Sequence, residues 1–194
     1  MYEADVAVAN AVLADRGYRT AFGFQRIGYR SPEWHPMTDR VLVVPMWNNG
    51  QLGTLEFIDA AGHKSFLPKA PTAGAWWSTR LIGESMTIGI AEGVATALSI
   101  DLVRGIPCVA AMSCGNMPRV AGWFARHCPG RQFVVFSDVG DGETDAREAV
   151  EACGGRLELP AFSGELLEAF KERTGTDKAP TDWNDYYIAT GDLP

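Results

Sequence analysis

Two acidic residues that directly follow short apolar runs are the side chains of this sequence best suited to chemistry. Glu92 follows the run IGIA (88–91), and Asp138 follows the run FVVFS (133–137). We expect each run to be a buried parallel strand that delivers its carboxylate to the carboxyl end of a sheet, where open α/β proteins bind their ligands. Further acidic residues lie nearby or later in the chain: Asp141, Glu143, Asp145, Asp182 and Asp185. Carboxylates without histidine or thiolate partners suit hard ions, so the sequence predicts a site for Mg²⁺ or Mn²⁺ at this edge.

Other common catalytic motifs are absent from the sequence. There is no GxxxxGK[ST] phosphate loop, no GxGxxG dinucleotide fingerprint and no GxSxG nucleophile turn. The three histidines, His35, His63 and His127, do not have the spacing of metal ligands. A divalent ion held by carboxylates serves phosphoryl and nucleotidyl transfer, and a glutamate set apart from the aspartates can move a proton. These residues therefore indicate metal-dependent chemistry on phosphate.

The second half of the chain alternates between strand and helix patterns, and this alternation positions the acidic residues. Gly105 and Pro107, for example, are good stop signals after the first helix. The predicted strands are Thr87–Ala91, Cys108–Met112, Gln132–Ser137 and Arg156–Pro160, and the predicted helices are Val94–Arg104, Pro118–His127 and Glu143–Ala152. Strict alternation implies a parallel sheet with right-handed crossovers. A helix near residues 165–173 and a last segment, TDWNDYYIATG (181–191), follow it.

The first half has a different pattern, of short strands and tight turns. Between Arg40 and Pro68, three apolar runs are separated by an Asn-Gly pair at 49–50 and by Gly62, which predicts a three-stranded antiparallel meander. Outside the meander we predict a short helix over Tyr2–Asp15, an irregular loop over Gly23–Pro36 and a linker over Lys69–Arg80. We therefore expect two domains: residues 1–80, an N-terminal helix with a small antiparallel β subdomain, and residues 81–194, the parallel sheet with a C-terminal helical tail.

Composition narrows the class of protein. With 194 residues, of which 46% are hydrophobic and 21% charged, the chain can bury a core of its own. A net charge of −7 argues against a wide basic surface for nucleic acid. The four cysteines, Cys108, Cys114, Cys128 and Cys153, lack CxxC spacing, so we expect buried free thiols in preference to zinc ligands or disulfides. No apolar run is long enough to span a bilayer, and we expect a cytoplasmic protein without a membrane partner.

The ordered set of motifs resembles the Toprim domain shared by bacterial-type primases, topoisomerases and certain nucleases. The set consists of LVVPMWNNGQLGTLEFIDAAGHKSFLP (42–68), IAEGVATALSI (90–100), the Cys114-Gly115-Asn116 turn, Asp138 with GETDAREA (142–149), and DWND (182–185). Over about residues 40–191 it resembles the Toprim primase region of phage- and plasmid-borne primase–helicase proteins. This resemblance implies an α/β fold, in which a Toprim-like parallel sheet with flanking helices is preceded by a small antiparallel β subdomain.

The resemblance also implies roles for individual residues. Glu92 would be the proton-transferring glutamate, with Gly93 beside it in a supporting role, and Asp138 would be the first metal ligand. Lys64 would face nucleotide or template phosphates, although a solvated charge at a strand edge is an equally good interpretation. Asp182, Asn184 and Asp185 would form the family's closing acidic motif, with a structural or site-supporting role. The implied cofactor is Mg²⁺ or Mn²⁺.

One departure from the family pattern falls at the predicted metal site. The pattern has an acidic residue two positions after Asp138, whereas position 140 is glycine and the next acid is Asp141. We expect Asp141 to take the second ligand place, because Gly140 and Gly142 free the backbone around it. Glu92, Asp138 and Asp141 are then the predicted metal-binding residues. Two alternatives stay open: weak metal binding, and acids that only cap a helix N-terminus, where negative charge is favourable in any case.

The leading hypothesis is that this chain is the catalytic fragment of a DNA primase. It would be a magnesium-dependent nucleotidyltransferase that makes short RNA primers on single-stranded DNA for replication, with template and nucleoside triphosphates as partners. Because no zinc ribbon and no helicase motor is recognisable, we also expect a replicative helicase or further domains of a longer protein as partners. Two alternatives remain: a Toprim nuclease that cleaves phosphodiesters with the same metal site, and a non-catalytic Toprim interaction module, which Gly140 and the net charge of −7 suggest.

Overall fold

The computed structural model of the chain describes residues 2–5, 23–26, 33–36, 40–67, 69–140 and 142–194, the first three ranges by their backbone alone. The chain divides into two compact units, residues 1–72 and residues 73–194. The sequence places the domain boundary between residues 80 and 81, and which residues form independent domains stays a prediction. Within the described ranges, no helix combines the length and the apolar character needed to cross a bilayer.

The described residues of the first unit form six strands in two antiparallel sheets. The strands are β1 (Tyr2–Asp5), β2 (Gly23–Arg26), β3 (Glu33–Pro36), β4 (Arg40–Asn48), β5 (Gln51–Asp59) and β6 (Lys64–Phe66). One sheet has the order β1-β4-β5-β6, and the other pairs β2 with β3. Asn49 and Gly50 connect β4 to β5 with positive φ angles of 49° and 77°, which is the geometry that a two-residue hairpin turn requires. The predicted three-stranded meander is therefore confirmed, with β1 as a fourth strand.

Two predictions for the N-terminal residues are wrong. Tyr2–Asp5 begin the predicted helix but form β1, which pairs antiparallel with residues 40–43 of β4; the rest of that helix, residues 6–15, lies outside the described residues. The predicted loop over Gly23–Pro36 contains β2 and β3, which pair along their whole length. In both places backbone hydrogen bonds to another strand decide the conformation, and the local sequence does not reveal the partner.

The second unit is built on a five-stranded sheet. Its strands are β7 (Trp77–Ser78), β8 (Thr87–Ala91), β9 (Cys108–Ala110), β10 (Gln132–Phe136) and β11 (Arg156–Glu158), in the order β11-β10-β8-β9-β7. Four of them pair in parallel, as predicted. The fifth, β7, lies in the predicted linker and pairs antiparallel with β9 through Trp77↔Ala110 and Ser78↔Val109. An edge strand of two residues is too short to show a period in the sequence, which explains why it was missed.

Helices cover both faces of this sheet. They are α1 (Val94–Arg104), α2 (Met117–His127), α3 (Glu143–Cys153), α4 (Gly164–Thr174) and α5 (Trp183–Thr190). On one face, Ile88, Ile90 and Val135 form a buried cluster with residues of α2 and α3. Side chains alternate along a strand, so Phe136 lies on the opposite face, where its ring meets the Trp183 ring of α5 at 5.8 Å. This is the predicted α/β architecture, with helices flanking a largely parallel sheet.

The expectation of buried free thiols holds in full only for Cys108. All four are free thiols, with Cys108 buried and the other three half-buried. Cys108 lies in the core strand β9, where burial raises the pKa of its thiol far above the usual range. Such a thiol is unreactive and contributes only to the packing of the core.

Candidate active site at the carboxyl ends of the sheet

Glu92 lies where β8 passes into α1, at the position that its sequence pattern predicts. The carbonyls of Ala91 and Glu92 accept hydrogen bonds from the N–H groups of Ala111 (2.9 Å) and Met112 (2.7 Å). The backbone hydrogen bonding between β8 and β9 therefore continues beyond the strands as far as Glu92. The next residue, Gly93, is the N-cap of α1, with extended backbone. The backbone on both sides of Glu92 is therefore held by regular structure.

Met112, the partner of the Glu92 carbonyl, has an unusual backbone conformation. Its φ angle is +71°, in the left-handed region that a residue with a side chain rarely adopts, and the residue is 9% exposed. The left-handed conformation turns the chain out of β9 and into the 3₁₀ turn Cys114–Asn116. Strain of this kind persists only where the surroundings hold it, and it is common beside functional sites.

Asp138 reaches the same rim from the neighbouring strand. Strands β8 and β10 are parallel neighbours, and their last residues, Ala91 and Phe136, are paired. The two strands therefore end side by side at the same edge of the sheet. The Ser137 N–H donates to the Glu158 carbonyl at 3.1 Å, which holds the chain to β11 one residue before Asp138. One carboxylate oxygen of Asp138, Oδ1, is shielded from solvent. The structure therefore places the two predicted acids at the ends of adjacent strands, with Glu92 one residue beyond β8 and Asp138 two residues beyond β10.

The surroundings of Glu92 include Cys114, which the sequence indicated only as part of a turn and not as a site residue. A Cβ atom added to Gly142 would lie 3.4 Å from Glu92 Oε2 and 3.6 Å from the Cβ atom of Cys114, so the three residues are close together. Burial raises the pKa of the Cys114 thiol, and the side-chain hydrogen bond with Asp145 and the negative charge of Glu92 raise it further. The thiol therefore stays protonated at neutral pH and donates to the Asp145 carboxylate. The signal in the sequence was a polar residue shortly after a buried strand.

The third predicted acid cannot be placed. Asp141 lies outside the described residues, and its neighbour Gly140 is exposed with a φ angle of +108°, a conformation that glycine adopts without strain. Among residues 40–67, 69–140 and 142–194, no three His, Cys, Asp or Glu side chains are grouped closely enough to hold a metal ion. The donor chemistry still suits a hard divalent ion, because Glu92 and Asp138 are carboxylates and Gly142 leaves open the space that a side chain would fill beside Glu92 Oε2.

The closing acidic motif forms the start of α5. Asp182 is the N-cap, and its carboxylate accepts from the Asp185 N–H at 2.7 Å. The Asp185 carboxylate in turn accepts from the Thr181 N–H at 2.9 Å. Burial raises the pKa of Asp182, and hydrogen bonds from the Asp185 N–H, the Thr96 hydroxyl and the Asn184 N–H partly oppose that rise. This reciprocal capping agrees with the structural or site-supporting role expected for the motif.

Lys64 belongs to the first unit, where it begins β6. It is exposed and lies opposite Ile58 of β5. On the same face of the sheet, Glu56 is only 2% exposed, and burial raises its pKa to about 7, although the charge of Lys64 acts in the opposite direction. Glu56 could not be recognised from the sequence, because an acid in an alternating strand normally faces solvent. The predicted contact of Lys64 with phosphate stays a prediction.

Comparison with known proteins identifies the second unit. A family model described as a Toprim domain matches residues 87–192, which is more than half of the chain. The DNA primase TraC of Escherichia coli is 27% identical over 128 residues, an alignment that covers 59% of this chain but only 12% of TraC. The chain thus spans a small part of that relative.

One solved structure is also similar, at 16% identity and a TM-score of 0.45. It shows the bacteriophage T7 lagging-strand DNA polymerase interacting with primase domains of two gp4 subunits bound to an RNA/DNA hybrid and dTTP, and the match covers 63% of this chain and 62% of that chain. A TM-score below 0.5 is too low to support a conclusion. The family match alone covers β8 to α5, including both strand ends that carry Glu92 and Asp138. The resemblance inferred from the sequence is confirmed: this chain belongs to the Toprim domain family, and a DNA primase is among its relatives.

Proposed function

We propose that this chain is the catalytic part of a DNA primase, which joins nucleotides into short RNA primers on single-stranded DNA. The observation that carries the proposal is the position of Glu92 and Asp138 at the ends of two adjacent parallel strands, within a Toprim domain that has a primase relative. Open α/β sheets bind their ligands at this rim. The template, the nucleoside triphosphates and the domains that would complete a primase are part of the same proposal.

Glu92 acts as the general base in this reaction. It takes the proton of the attacking 3′-hydroxyl, the 3′ oxygen forms a bond to the α-phosphorus, and pyrophosphate leaves with the electron pair of the bond that breaks. A carboxylate is suited to this role when its backbone is held and its surroundings are partly dry. Glu92 meets both conditions, since the ladder to Met112 holds its backbone and its side chain is half-buried beside Gly142.

Asp138 and Asp141 would hold Mg²⁺ or Mn²⁺, which leaves the Glu92 carboxylate to accept the proton. A bound divalent ion would supply positive charge for the triphosphate and for the leaving pyrophosphate. Asp138 contributes a carboxylate on a backbone that Ser137 fixes to β11. Lys64 contributes a positive charge for nucleotide or template phosphates.

Primer synthesis by the wild-type chain and by Asp138→Asn tests the proposal. With a single-stranded DNA template, four ribonucleotides and Mg²⁺ or Mn²⁺, the wild type is expected to give short RNA products and the variant none. Equal synthesis by both proteins would contradict the assignment of Asp138. Labelled DNA incubated without nucleotides separates a nuclease from a primase, because only a nuclease shortens it.

A non-catalytic Toprim module is the second candidate, and Gly140 is the observation that favours it. Glycine at this position removes the carboxylate that the family pattern has two residues after Asp138. A ligand that binds only the folded protein must raise its thermal stability. An unchanged melting temperature in millimolar Mg²⁺ and Mn²⁺, together with no primer synthesis, would favour this candidate over the primase.

A further inference from the structure

Residues 181–185, here named the closing segment, contact the chain that carries Asp138. The carbonyl of Thr181 accepts a hydrogen bond of 2.8 Å from the N–H of Val139, the residue directly after Asp138. The Val139 side chain is 46% exposed, so it provides little packing to hold this part of the loop. The backbone hydrogen bond to Thr181 is thus a main restraint on the chain where Asp138 leaves the sheet.

The same segment contacts the helix that follows Glu92. The Thr96 hydroxyl donates to the Asp182 carboxylate. Thr96 lies in the first turn of α1, four positions after Glu92, and is 2% exposed. One turn later, the Ser99 hydroxyl donates to Oδ1 of Asn184 at 3.0 Å. A single segment of five residues therefore touches both elements that deliver the predicted catalytic carboxylates.

The closing segment is itself held firmly. The reciprocal caps of Asp182 and Asp185 tie its two ends together. Trp183 is 3% exposed, and its Nε1–H donates to the Glu158 carbonyl, the group that also accepts from the Ser137 N–H. The Arg104 guanidinium lies over the rings of Phe136 and Trp183, at 5.3 and 5.5 Å from their centres. Such a segment can transmit a restraint, because its own conformations are few.

We propose that the closing segment is a clamp that fixes the Asp138 loop relative to the Glu92 helix, with Asp182 and Asp185 as positioning residues. The clamp joins Thr96 on the Glu92 side to Val139 on the Asp138 side, through Asp182, Asp185 and the backbone of Thr181. The value of this restraint for catalysis rests on the proposed function, whereas the mechanical coupling between the two sides does not.

Hydrogen exchange of the Val139 amide in the full chain tests the coupling. Thr96→Val removes the hydroxyl that holds Asp182 and keeps the shape of the side chain. Thr54→Val is the matched control, because it makes the same change at an equally buried threonine of the first unit, in β5. We expect exchange at Val139 to be at least about tenfold faster in Thr96→Val and unchanged in Thr54→Val. Equal exchange rates in the wild type and Thr96→Val would overturn the clamp, as would equal acceleration by Thr54→Val.

Asp185→Ala provides a second variant, which frees the Thr181 N–H without changing α1. It is expected to accelerate exchange at Val139 by a similar factor, with the helical circular dichroism of the wild type retained. Mn²⁺ titration followed by electron paramagnetic resonance then shows whether the coupling reaches the site: Thr96→Val and Asp185→Ala should bind Mn²⁺ several-fold more weakly than Thr54→Val. A wild type that binds no Mn²⁺ would contradict the proposed metal site, and the exchange rates at Val139 would still decide the clamp.

Discussion

The two units of this protein differ in how they carry charge. Residues 1–72 contain 7 basic and 7 acidic residues, whereas residues 73–194 contain 10 basic and 17 acidic residues. The whole net charge of −7 therefore belongs to the second unit. The topology differs in the same way: the first unit pairs its strands antiparallel, and the second has a mainly parallel sheet whose strand ends collect carboxylates at one rim.

Under the proposed function, this difference explains why the net charge of the whole chain points away from nucleic acid. Taken for the whole chain, a net charge of −7 argues against nucleic acid as a partner. This total combines a neutral unit, which carries Lys64, with an acidic unit, which carries Glu92 and Asp138. An acidic rim repels phosphate unless a cation neutralises it, and a neutral unit with an exposed lysine does not. The chemistry is therefore expected to depend on the second unit, and part of the phosphate binding on Lys64 of the first. The first and last of the four experiments below test this division, and the other two test the stability of each unit.

The largest effect is expected at the acidic rim. Glu92→Gln keeps the size of the side chain but removes the base, and we expect primer synthesis to fall by about 10²–10⁴-fold with the fold intact. Glu148→Gln is the control, since it removes an exposed acid of α3. A wild-type rate in Glu92→Gln would place the proton transfer elsewhere, and an equal loss in Glu148→Gln would show that the charge of the unit matters more than the site.

The parallel sheet of the second unit also depends on one close approach. A Cβ atom at Gly155 would lie 2.6 Å from the backbone carbonyl oxygen of Phe133, so Gly155→Ala is expected to lower the free energy of unfolding by about 3 kcal/mol. Gly164→Ala is the matched control, because nothing lies within 4 Å of its Cβ position in the first turn of α4. Urea denaturation of both variants measures the difference. Similar stabilities for the two would mean that β10 and β11 can separate at little cost.

The buried acid of the first unit predicts a dependence of stability on pH. Burial raises the pKa of Glu56 to about 7 from an ordinary value of 4.5, so the folded state holds its proton more tightly than the unfolded state does. The resulting stabilisation is fully present below pH 4.5 and is lost as the pH rises to about 7. Glu56→Gln cannot ionise, and at pH 8 it should be more stable than the wild type by about 3 kcal/mol, with the difference vanishing near pH 4.

Denaturation of wild type and Glu56→Gln between pH 4 and pH 8 checks this expectation. Glu151→Gln, an exposed substitution on α3, serves as the control and should show a constant difference from the wild type. A difference for Glu56→Gln that is equally constant would mean that the pKa of Glu56 is the same in the folded and unfolded states.

The smallest effect is expected from the exposed lysine. Lys64→Ala should raise the KM for nucleotide or template about tenfold and leave kcat nearly unchanged, because a surface charge that contacts phosphate adds mainly to binding. Lys178→Ala removes the same charge from an exposed position in the second unit and should change neither constant. Steady-state kinetics at two salt concentrations measure both. Equal effects of the two substitutions would mean that Lys64 acts only through the net charge of the protein and not through a specific contact with phosphate.

Much of the second unit could be predicted because glycine or polar residues in the sequence mark where its strands and helices end. Strand Thr87–Ala91 and helix Val94–Arg104 have the predicted bounds, and Gly105, which ends that helix, has a φ angle of +65°. The apolar runs of a parallel sheet are continuous because both faces are buried, and the following polar residue marks where each strand ends. For the same reason Glu92 and Asp138 could be assigned to one rim without coordinates.

The strands that escaped prediction form only through distant partners. Strand β1 pairs with residues 40–43, and β7 pairs with β9 some thirty positions later in the chain. The Cys114 thiol beside Asp145 and the Thr96 hydroxyl on Asp182 are likewise contacts between separate helices and turns. Neither the propensity nor the spacing of a residue encodes such a partner, since the partner is selected when the elements pack.

The sequence by itself therefore determined the class of fold, the family and the rim on which the acids lie. The spacing of apolar residues, the positions of glycines and the acids at strand ends are features of short stretches of sequence. Each can be interpreted without knowing which distant residues it contacts. Only the tertiary structure decided which groups surround those acids: a protonated cysteine near Glu92, a backbone carbonyl that holds the residue after Asp138, and a buried Glu56 in the other unit. Each of these depends on the burial and distance of groups far apart in the chain, which exist only once the chain has folded.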